Sequence, residues 1–269
     1  MIASKNRKIF ALSKLGLYGY LLMFAFELKA QNNKVMLPKN YTLVFNETFD
    51  ADTLNLQNWL PFYLPQWSSR EASKPNYQLK DGYLHLQIIK NQQPWCPEFN
   101  GEVKCSSIQT GVFSGPLGSS IGQHSFFNPK SRVREVQETQ KLFVPQYGYF
   151  EMRARFAASK NNVAALWMIG FEDEPKRSSE LCIMEIKGWN VKKKSAVVGM
   201  GIHKFNDPAL KEAFFEGKFS LDVADFHVYA AEWLPGKVIF YIDGKPVREI
   251  AQAPDYPMQF MLGIYEIPE

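Results

Sequence analysis

The chain has 269 residues, of which 46% are hydrophobic and 14% aromatic. This is enough for one all-β domain of about 200–250 residues or for two smaller domains, and no repeat or low-complexity tract points to another architecture. The formal net charge of +4 comes from residues 1–30, which hold five of the 31 Lys and Arg and one of the 27 Asp and Glu, so 26 of each remain. The rest of the chain is therefore close to neutral, which argues against a nucleic-acid partner.

The first thirty residues have the layout of a secretory signal peptide. Basic residues come first, an apolar stretch at 15–26 follows, and the small residue Ala30 closes the segment. Twelve apolar residues are too few to span a bilayer comfortably. We expect residues 1–30 to be cleaved and 31–269 to be the mature domain, secreted or periplasmic and without membrane association; an uncleaved anchor is the alternative.

Short alternating segments separated by turn residues dominate the rest of the chain. Strands are predicted at 41–49, 83–89, 148–156, 163–171, 179–188, 196–203, 226–233, 238–242, 247–250 and 259–265. Residues 90–142 form a loop-rich tract of the kind that often makes a functional rim. One short helix is predicted from Asp207 as N-cap and Pro208 as first helical residue to Gly217 as its stop. This pattern predicts an all-β protein, a β-sandwich of the jelly-roll type with a concave cleft on one sheet.

The chain has three cysteines, which an exported protein can oxidise. Cys96 and Cys105 flank a short loop with Pro, Asn and Gly, so a disulfide between them and two free thiols are both open. Cys182 then stays single. No His and Cys spacing resembles a zinc site.

Two carboxylates lie five residues apart in an apolar run, S-E-L-C-I-M-E-I-K-G at 179–188. On a regular strand Glu180 and Cys182 share a face and Glu185 points away. A β-bulge in which Ile183 and Met184 occupy one ladder position would return Glu185 to that face. The two carboxyls would then meet in one space, as in retaining glycosidases, where they lie about 5–5.5 Å apart. The alternative is a structural pair that hydrogen-bonds within a sheet.

This motif resembles the E-x-D-x-x-E signature of the family-16 glycoside hydrolases, the laminarinase and lichenase group. Further segments resemble the family in order and spacing: FNETF at 45–49 with Trp59, YGYFEMRAR at 147–155, LWM at 166–168, FHVY and EW within 226–233, and FYIDG at 240–244. Together they cover about residues 41–265. The resemblance implies a concanavalin-like β-jelly roll with a carbohydrate cleft, and retaining, endo-acting hydrolysis of β-glucans or algal galactans.

The resemblance also implies roles for the motif residues. Glu180 matches the nucleophile and Glu185 the general acid/base, while Cys182 stands where the family has an Asp that tunes the pair. A thiol is a weak donor and acceptor, and two adjacent carboxylates should raise its pKa, so Cys182 is not expected to be a thiolate nucleophile. Either the enzyme works with an altered central residue, or the site is weakened and the cleft mainly binds glycan.

The resemblance leaves two further features open. The family often holds calcium between the N-terminal segment, near Glu47, and a last strand. This chain, which stops at Glu269, could lack that strand. No cofactor and no catalytic metal are expected, and structural calcium is an open prediction.

Four residues are candidates for substrate binding, each with a structural alternative. Trp167 could stack on a sugar or belong to the core, and Trp189 could line a subsite. His203 is either a cleft residue or a structural histidine, and Arg153 could bind a sugar hydroxyl or lie on the surface. Trp233 is predicted to be core, and the lysines at 192–194 a solvated turn.

The sequence therefore predicts a secreted, monomeric, retaining endo-glycosidase that hydrolyses a β-linked polysaccharide, with β-glucan favoured. A second sugar could replace water as acceptor, which would make the protein a transglycosylase. The alternatives are a catalytically weak, carbohydrate-binding β-sandwich and a structural protein without affinity for sugar.

Overall fold

The structure, a computed structural model, describes residues 41–268, with the side chain of Phe126 excepted. Strands account for most of the regular structure: β1 (Asn76–Lys80), β2 (Tyr83–Gln87), β3 (Lys104–Gln109), β4 (Gly111–Val112), β5 (Gln140–Lys141), β6 (Gly148–Ala154), β7 (Asn162–Gly170), β8 (Glu180–Lys187), β9 (Val191–Lys192), β10 (Ser195–His203), β11 (Ala213–Phe219), β12 (His227–Leu234), β13 (Lys237–Ile242), β14 (Lys245–Ile250) and β15 (Met258–Glu266). The helices are short: α1 (Pro97–Asn100) and 3-10 turns at Pro65–Trp67, Ser125–Phe127 and Gly188–Asn190. The predicted signal peptide lies outside the described residues.

Two antiparallel sheets form the body of the domain. The large sheet has seven strands in the order β11-β10-β8-β7-β15-β3, with β9 paired to β10, and the small sheet has the order β14-β13-β12-β6. The pairs β1-β2 and β4-β5 form two separate ribbons. The all-β jelly-roll sandwich predicted from the sequence is confirmed.

The core lies between the two sheets. Leu181, Ile183 and Ile186 of β8 contribute apolar side chains to it and pack in one cluster with residues of the small sheet. Trp233 of β12 is fully buried there, and its indole N–H donates to the Pro254 carbonyl at 3.0 Å, so the prediction that it is core is confirmed. Alternate residues of β7 and β8 point away from this core, onto the face that we call the outer face of the large sheet.

An aromatic cluster covers part of the outer face. It joins loop residues to side chains of β7, β8 and β15: Tyr63, Trp67, Trp95, Phe99, Trp167, Cys182 and Met261 are among its members. The segments 61–67 and 95–105 thus cover one part of the outer face, and the carboxylate motif lies next to the covered part.

Two predictions about elements are wrong, and one strand was missed. The segment 207–217 is not a helix but a turn followed by β11, in which Phe214 and Phe215 pack at the edge of the large sheet. Asp207 caps no helix; its carboxylate accepts a hydrogen bond from the Tyr256 hydroxyl at 2.8 Å. Residues 41–49 form no regular strand. The tract 90–142 contains β3, whose buried side chains include the polar Ser106 and Ser107 and therefore lack an apolar pattern.

The Cys96–Cys105 disulfide is also absent, since all three cysteines are free thiols. Cys96 donates its S–H to the Trp67 carbonyl at 3.3 Å, inside the aromatic cluster. Burial raises the pKa of Cys96 to about 11 and that of Cys105 well above its ordinary value, so both thiols are protonated.

Candidate active site

A β-bulge in β8 brings the two glutamates of the motif onto one face. Opposite β8, Trp167 of β7 pairs with Cys182 and its neighbour Leu166 pairs with Met184, so Ile183 is the extra residue. The pairing with β10 shifts at the same place, between the partners of Cys182 and Glu185. Since Ile183 and Met184 are both buried in the core between the sheets, Glu185 turns back to the outer face. The bulge predicted from the sequence is confirmed.

The two carboxylates line one cavity of about 180 Å³, which we call the carboxylate cavity. Glu180 and Glu185 are both partly exposed to it. Its other walls come from β7, β15 and two loops: Val163, Ala165, Trp167, Tyr265, Tyr63 and His124. Aromatic rings therefore face the carboxyl pair on several sides.

The surroundings of Glu180 disfavour the charged form of its carboxyl. Desolvation and then the neighbouring Glu185 carboxylate raise the pKa of Glu180 to about 8, although a hydrogen bond from Cys182 works against this rise. Glu212 adds a smaller effect in the raising direction. At neutral pH the free protein therefore keeps a proton at this carboxyl.

Cys182 lies directly beside Glu180 and is completely buried. Desolvation and then the charge of Glu180 and Glu185 raise its pKa well above the ordinary value. The thiol is a neutral hydrogen-bond partner of Glu180, as expected, and not a thiolate nucleophile.

Lys187 connects the pair to the edge of the large sheet. Its Nζ lies 3.4 Å from Glu185 Oε1 and 2.8 Å from Glu216 Oε1 of β11. These groups raise the pKa of Lys187 against the effect of desolvation, so its ammonium stays charged. A positive charge thus lies next to the candidate acid/base, where sequence reasoning had assigned none.

His203 and Trp167 flank the motif on the neighbouring strands. His203 is the β10 partner of Glu180; its Nδ1 lies 2.5 Å from Glu212 Oε1, and its ring stacks on Phe214 with 4.4 Å between centroids. Trp167 lines the carboxylate cavity and donates its indole N–H to the Tyr265 hydroxyl at 3.1 Å. Both candidates are therefore brought to the motif.

The comparisons with known proteins decide the family. Residues 130–266, half of the chain, match the model of the glycosyl hydrolases family 16, and this range contains the motif. The chain belongs to family 16 of the glycosyl hydrolases. No curated protein matches it in sequence.

Several solved structures have the same fold as this family-16 chain. A GlcNAcα1-4Gal-releasing endo-β-galactosidase from Clostridium perfringens is 28% identical with a TM-score of 0.74; the match covers 85% of this chain and 57% of that one. The catalytic domain of an endo-1,3-β-glucanase from Thermotoga petrophila RKU-1 is 18% identical with a TM-score of 0.53, covering 85% and 88%. A non-specific endo-β-1,3(4)-glucanase, SCLam, is 17% identical with a TM-score of 0.56, covering 85% and 82%. This chain thus spans little more than half the length of the galactosidase.

Two of the substrate-binding candidates lie away from the carboxylate cavity of this family-16 domain. Arg153 belongs to β6 of the small sheet, where its guanidinium lies 3.9 Å from the Phe226 ring centroid and its Nη1 donates to the Tyr83 hydroxyl at 3.4 Å. Because β6 is in the other sheet, the structure does not place Arg153 beside the carboxylates, and its sugar-binding role stays a prediction. Trp189 follows β8 and lines a different groove.

Three ring-bearing residues of the carboxylate cavity were not among the candidates from the sequence: Tyr63, His124 and Tyr265. The only signal for them was a local excess of aromatic residues, which also marks core positions. Desolvation and then His203 lower the pKa of His124 to about 4, so this imidazole is neutral and adds no positive charge to the carboxyl pair.

The residues around Glu47 do not form an obvious calcium site. Glu47 Oε1 accepts from the Phe49 N–H at 3.1 Å, and Oε2 accepts from the side chains of Asn58 and Trp59 at 3.3 Å each. Within residues 41–268 no group of three or more His, Cys, Asp and Glu side chains could hold a metal ion. The carboxylate is thus satisfied by N–H donors, and structural calcium stays a prediction.

Across residues 41–268, no helix has the length and apolarity that a membrane crossing requires.

Proposed function

We propose that this protein is a retaining endo-glycosidase that hydrolyses a β-linked polysaccharide, with Glu180 as nucleophile and Glu185 as general acid/base. The observation that supports the proposal most is the bulge in β8, through which both carboxylates line one cavity. Family membership supports the same reaction class. The exported setting predicted from residues 1–30 and a monomeric state are parts of this proposal.

In the first step, the Glu180 carboxylate attacks the anomeric carbon while Glu185 gives its proton to the leaving oxygen. The glycosidic C–O bond breaks and an ester between Glu180 and the sugar forms. In the second step, Glu185 removes a proton from water, the water oxygen attacks the anomeric carbon, and Glu180 leaves as carboxylate. A sugar hydroxyl in place of water would give transglycosylation.

The proton distribution of the free protein requires one adjustment before the first step. The raised pKa of Glu180, about 8, favours the protonated form of this carboxyl in the free protein at neutral pH, so Glu180 must lose a proton before it can attack. As substrate binds, this proton must pass to Glu185, because the leaving oxygen needs a proton donor. The positive charge that then develops on the sugar ring in the transition state stabilises the Glu180 carboxylate. Cys182 assists, because its hydrogen bond favours the ionised form of Glu180.

We propose a β-linked galactose unit as the sugar on the cleaved bond, with β-glucan as the second candidate. The support is the similarity to the endo-β-galactosidase, with 28% identity and a TM-score of 0.74, compared with 18% and 0.53 for the Thermotoga glucanase. The glucan preference predicted from the sequence rests on the family resemblance alone.

The test is hydrolysis of agar, carrageenan, laminarin and lichenan, read as new reducing ends. Glu180→Gln should lower activity about a thousandfold or more, because an amide cannot form the glycosyl ester. Cys182→Ser should cost less than about tenfold, since a hydroxyl keeps a donor beside Glu180. Unchanged hydrolysis by Glu180→Gln would overturn the assignment.

A carbohydrate-binding protein with a weakened site is the second candidate function. It is favoured by Cys182 in place of an acidic residue and by the proton that Glu180 keeps. Binding to one of the four polysaccharides without new reducing ends would establish it, and a failure to bind any of them would reject both candidates.

A further inference from the structure

Trp189 differs from every other tryptophan of the chain. The other five have side chains at most 5% exposed, whereas Trp189 is 48% exposed. It lies in the 3-10 turn Gly188–Asn190, which follows β8 and therefore the candidate catalytic residues. Contact between so large an aromatic surface and water is unfavourable in free energy, and a ligand that covered the ring would remove this cost.

The indole of Trp189 lines a groove of about 470 Å³, which we call the Trp189 groove. The groove lies at an end of the sandwich, where connections at 156–160 and 222–224 pass between the two sheets. Phe156 and Val223, both buried, contribute apolar surface to it. No residue of the carboxylate cavity is among its lining residues.

The charge around the groove is mainly positive. Lys160, Lys192 and Lys193 line it and are exposed. The ion pairs found within 41–268 involve none of these three lysines. Asp222, the acidic residue of the lining, accepts the Ala224 N–H at 3.1 Å within its own turn. The ammonium groups are therefore available for an anion.

The groove is held in shape by its own packing. Asn162 accepts the Ser159 N–H at 2.7 Å and donates to the Ala157 carbonyl at 2.9 Å, which ties down the loop along one side. Gly188 packs so closely on this loop that a Cβ there would overlap with the Ser159 carbonyl oxygen and the Asn162 side chain. A site already shaped in this way loses little entropy when a ligand binds.

From these observations we propose that the Trp189 groove is a second glycan-binding site for a sugar that carries an anionic group. The indole stacks on the apolar face of a pyranose ring, and the lysines pair with a sulfate or a carboxylate on that sugar or on its neighbour. The inference deepens the proposed function, on which it rests: it names acidic polysaccharides as the substrate class.

The position of the groove fits a polymer that reaches both sites. Trp189 lies four residues beyond Glu185, roughly 10 Å along the strand and the 3-10 turn. A chain of sugars held at Trp189 would present a nearby linkage to the carboxylate cavity. Binding at the groove therefore raises the local concentration of cleavable bonds.

The experiment measures binding with the Glu180→Gln protein, so that no substrate is consumed. The probes are κ-carrageenan (a sulfated galactan), polygalacturonate (a carboxylated polymer) and agarose (a neutral galactan). We expect carrageenan or polygalacturonate to bind, with an affinity that falls as salt rises. Adding Trp189→Ala, or adding Lys192→Gln with Lys193→Gln, should weaken that binding about tenfold. The two charged probes separate sulfate from carboxylate recognition.

Two controls make the outcome decisive. Lys80→Gln with Lys245→Gln removes the same charge from exposed positions outside the groove and should leave binding unchanged. Quenching of Trp189 fluorescence by acrylamide should decrease when the charged polymer binds, because the other tryptophans are already buried. Equal affinity of all variants, equal loss in the Lys80 and Lys245 control, or preference for agarose would overturn the inference.

The failure of the proposed function would look different. In that case the native protein would release no reducing ends from any of the polymers, while the binding pattern of the groove variants could still hold. Conversely, if the native protein hydrolyses a polymer but the groove variants bind it with unchanged affinity, only the second site is rejected.

Discussion

At the scale of single residues, the protonation of Glu180 depends on its neighbours. Desolvation and Glu185 raise the pKa of Glu180 to about 8, and the Cys182 thiol limits that rise. The pair therefore loses its last proton near pH 8. The proposed double displacement needs one charged carboxylate and one proton donor, so we expect the singly protonated pair to be the active form. We expect kcat/KM to fall above about pH 8, which a pH profile on a soluble substrate would show.

Lys187 should set where this alkaline limb lies. Its ammonium is 3.4 Å from Glu185 and stabilises negative charge on the pair. Lys187→Met removes that charge, so the pair keeps its proton to higher pH, and the limb should move up by about 0.5–1 pH unit. The measurement is kcat/KM from about pH 5 to 10.

Glu216→Gln is the matched control for Lys187. Because Glu216 holds the same ammonium at 2.8 Å, its neutralisation leaves Lys187 free to interact more with Glu185. The limb should then move to lower pH, opposite to the effect of Lys187→Met. Shifts in the same direction for both variants would mean that Lys187 acts through the fold and not through its charge.

At the scale of elements, the bulge of β8 faces two glycines of β10. Gly199 pairs with Glu185, and Gly201 pairs with Cys182. A Cβ on Gly199 would lie 2.5 Å from the Phe214 ring, so the glycine lets this ring approach the sheet beside the carboxylates. The arrangement of the two carboxylates thus depends on the partner strand as much as on the motif.

Gly201→Ala should destabilise this arrangement. Gly201 has φ +143°, and a Cβ would lie 2.8 Å from Phe214 Cα and overlap with the Ala213 carbonyl oxygen. We expect a loss of roughly 2–5 kcal/mol in the free energy of unfolding, from strain together with overpacking. Urea unfolding measures it.

The β13–β14 turn offers a control for backbone strain alone. Gly244 has φ +72°, but nothing lies within 4 Å of a Cβ built there. Gly244→Ala should cost about 1–2 kcal/mol and leave activity unchanged. Equal losses in the free energy of unfolding for Gly201→Ala and Gly244→Ala would mean that backbone strain alone explains the need for glycine at position 201, without the close packing of β10 on β11.

At the scale of the whole molecule, a second buried carboxyl makes stability depend on pH. Glu172 is 8% exposed; it accepts hydrogen bonds from the backbone N–H of His124 at 3.0 Å and from the Ser178 hydroxyl at 3.2 Å. Desolvation nevertheless raises its pKa to about 8. The pKa of Glu172 is higher in the folded protein than in the unfolded chain. Its contribution to the free energy of unfolding is therefore fully present below about pH 4.5 and is lost as pH rises to about 8. Glu180 contributes with the same sign.

We therefore expect the free energy of unfolding to fall between about pH 5 and 8, by an amount on the order of a few kcal/mol. Glu172→Gln should flatten this slope, because an amide can accept from His124 and donate to Ser178 without titrating. Urea unfolding across this pH range is the measurement, with Glu180→Gln as the comparison for the other carboxyl. An unchanged slope in both variants would contradict the role of these groups.

Much of the fold was predictable because it depends on local pattern. The strands β6, β7, β8, β10, β12 and β13 lie within a few residues of the predicted segments, since alternation or apolar runs mark them in the sequence. β3 was missed because its buried positions include serines, and the segment 207–217 was misread because Asp, Pro and Gly also suit a turn before a strand. Local propensity does not separate these cases.

By itself the sequence determined that two glutamates share one apolar strand and that the chain folds as a sandwich, because alternation and burial are properties of neighbouring residues. The bulge was a hypothesis until the partners of β8 set its register. Only the tertiary structure decided that Tyr63, His124 and Tyr265 join the carboxylates, that Arg153 lies in the other sheet and that Trp189 opens a separate groove. The physical reason is strand order: the large sheet brings together segments more than a hundred residues apart, and no local pattern encodes which of them become neighbours.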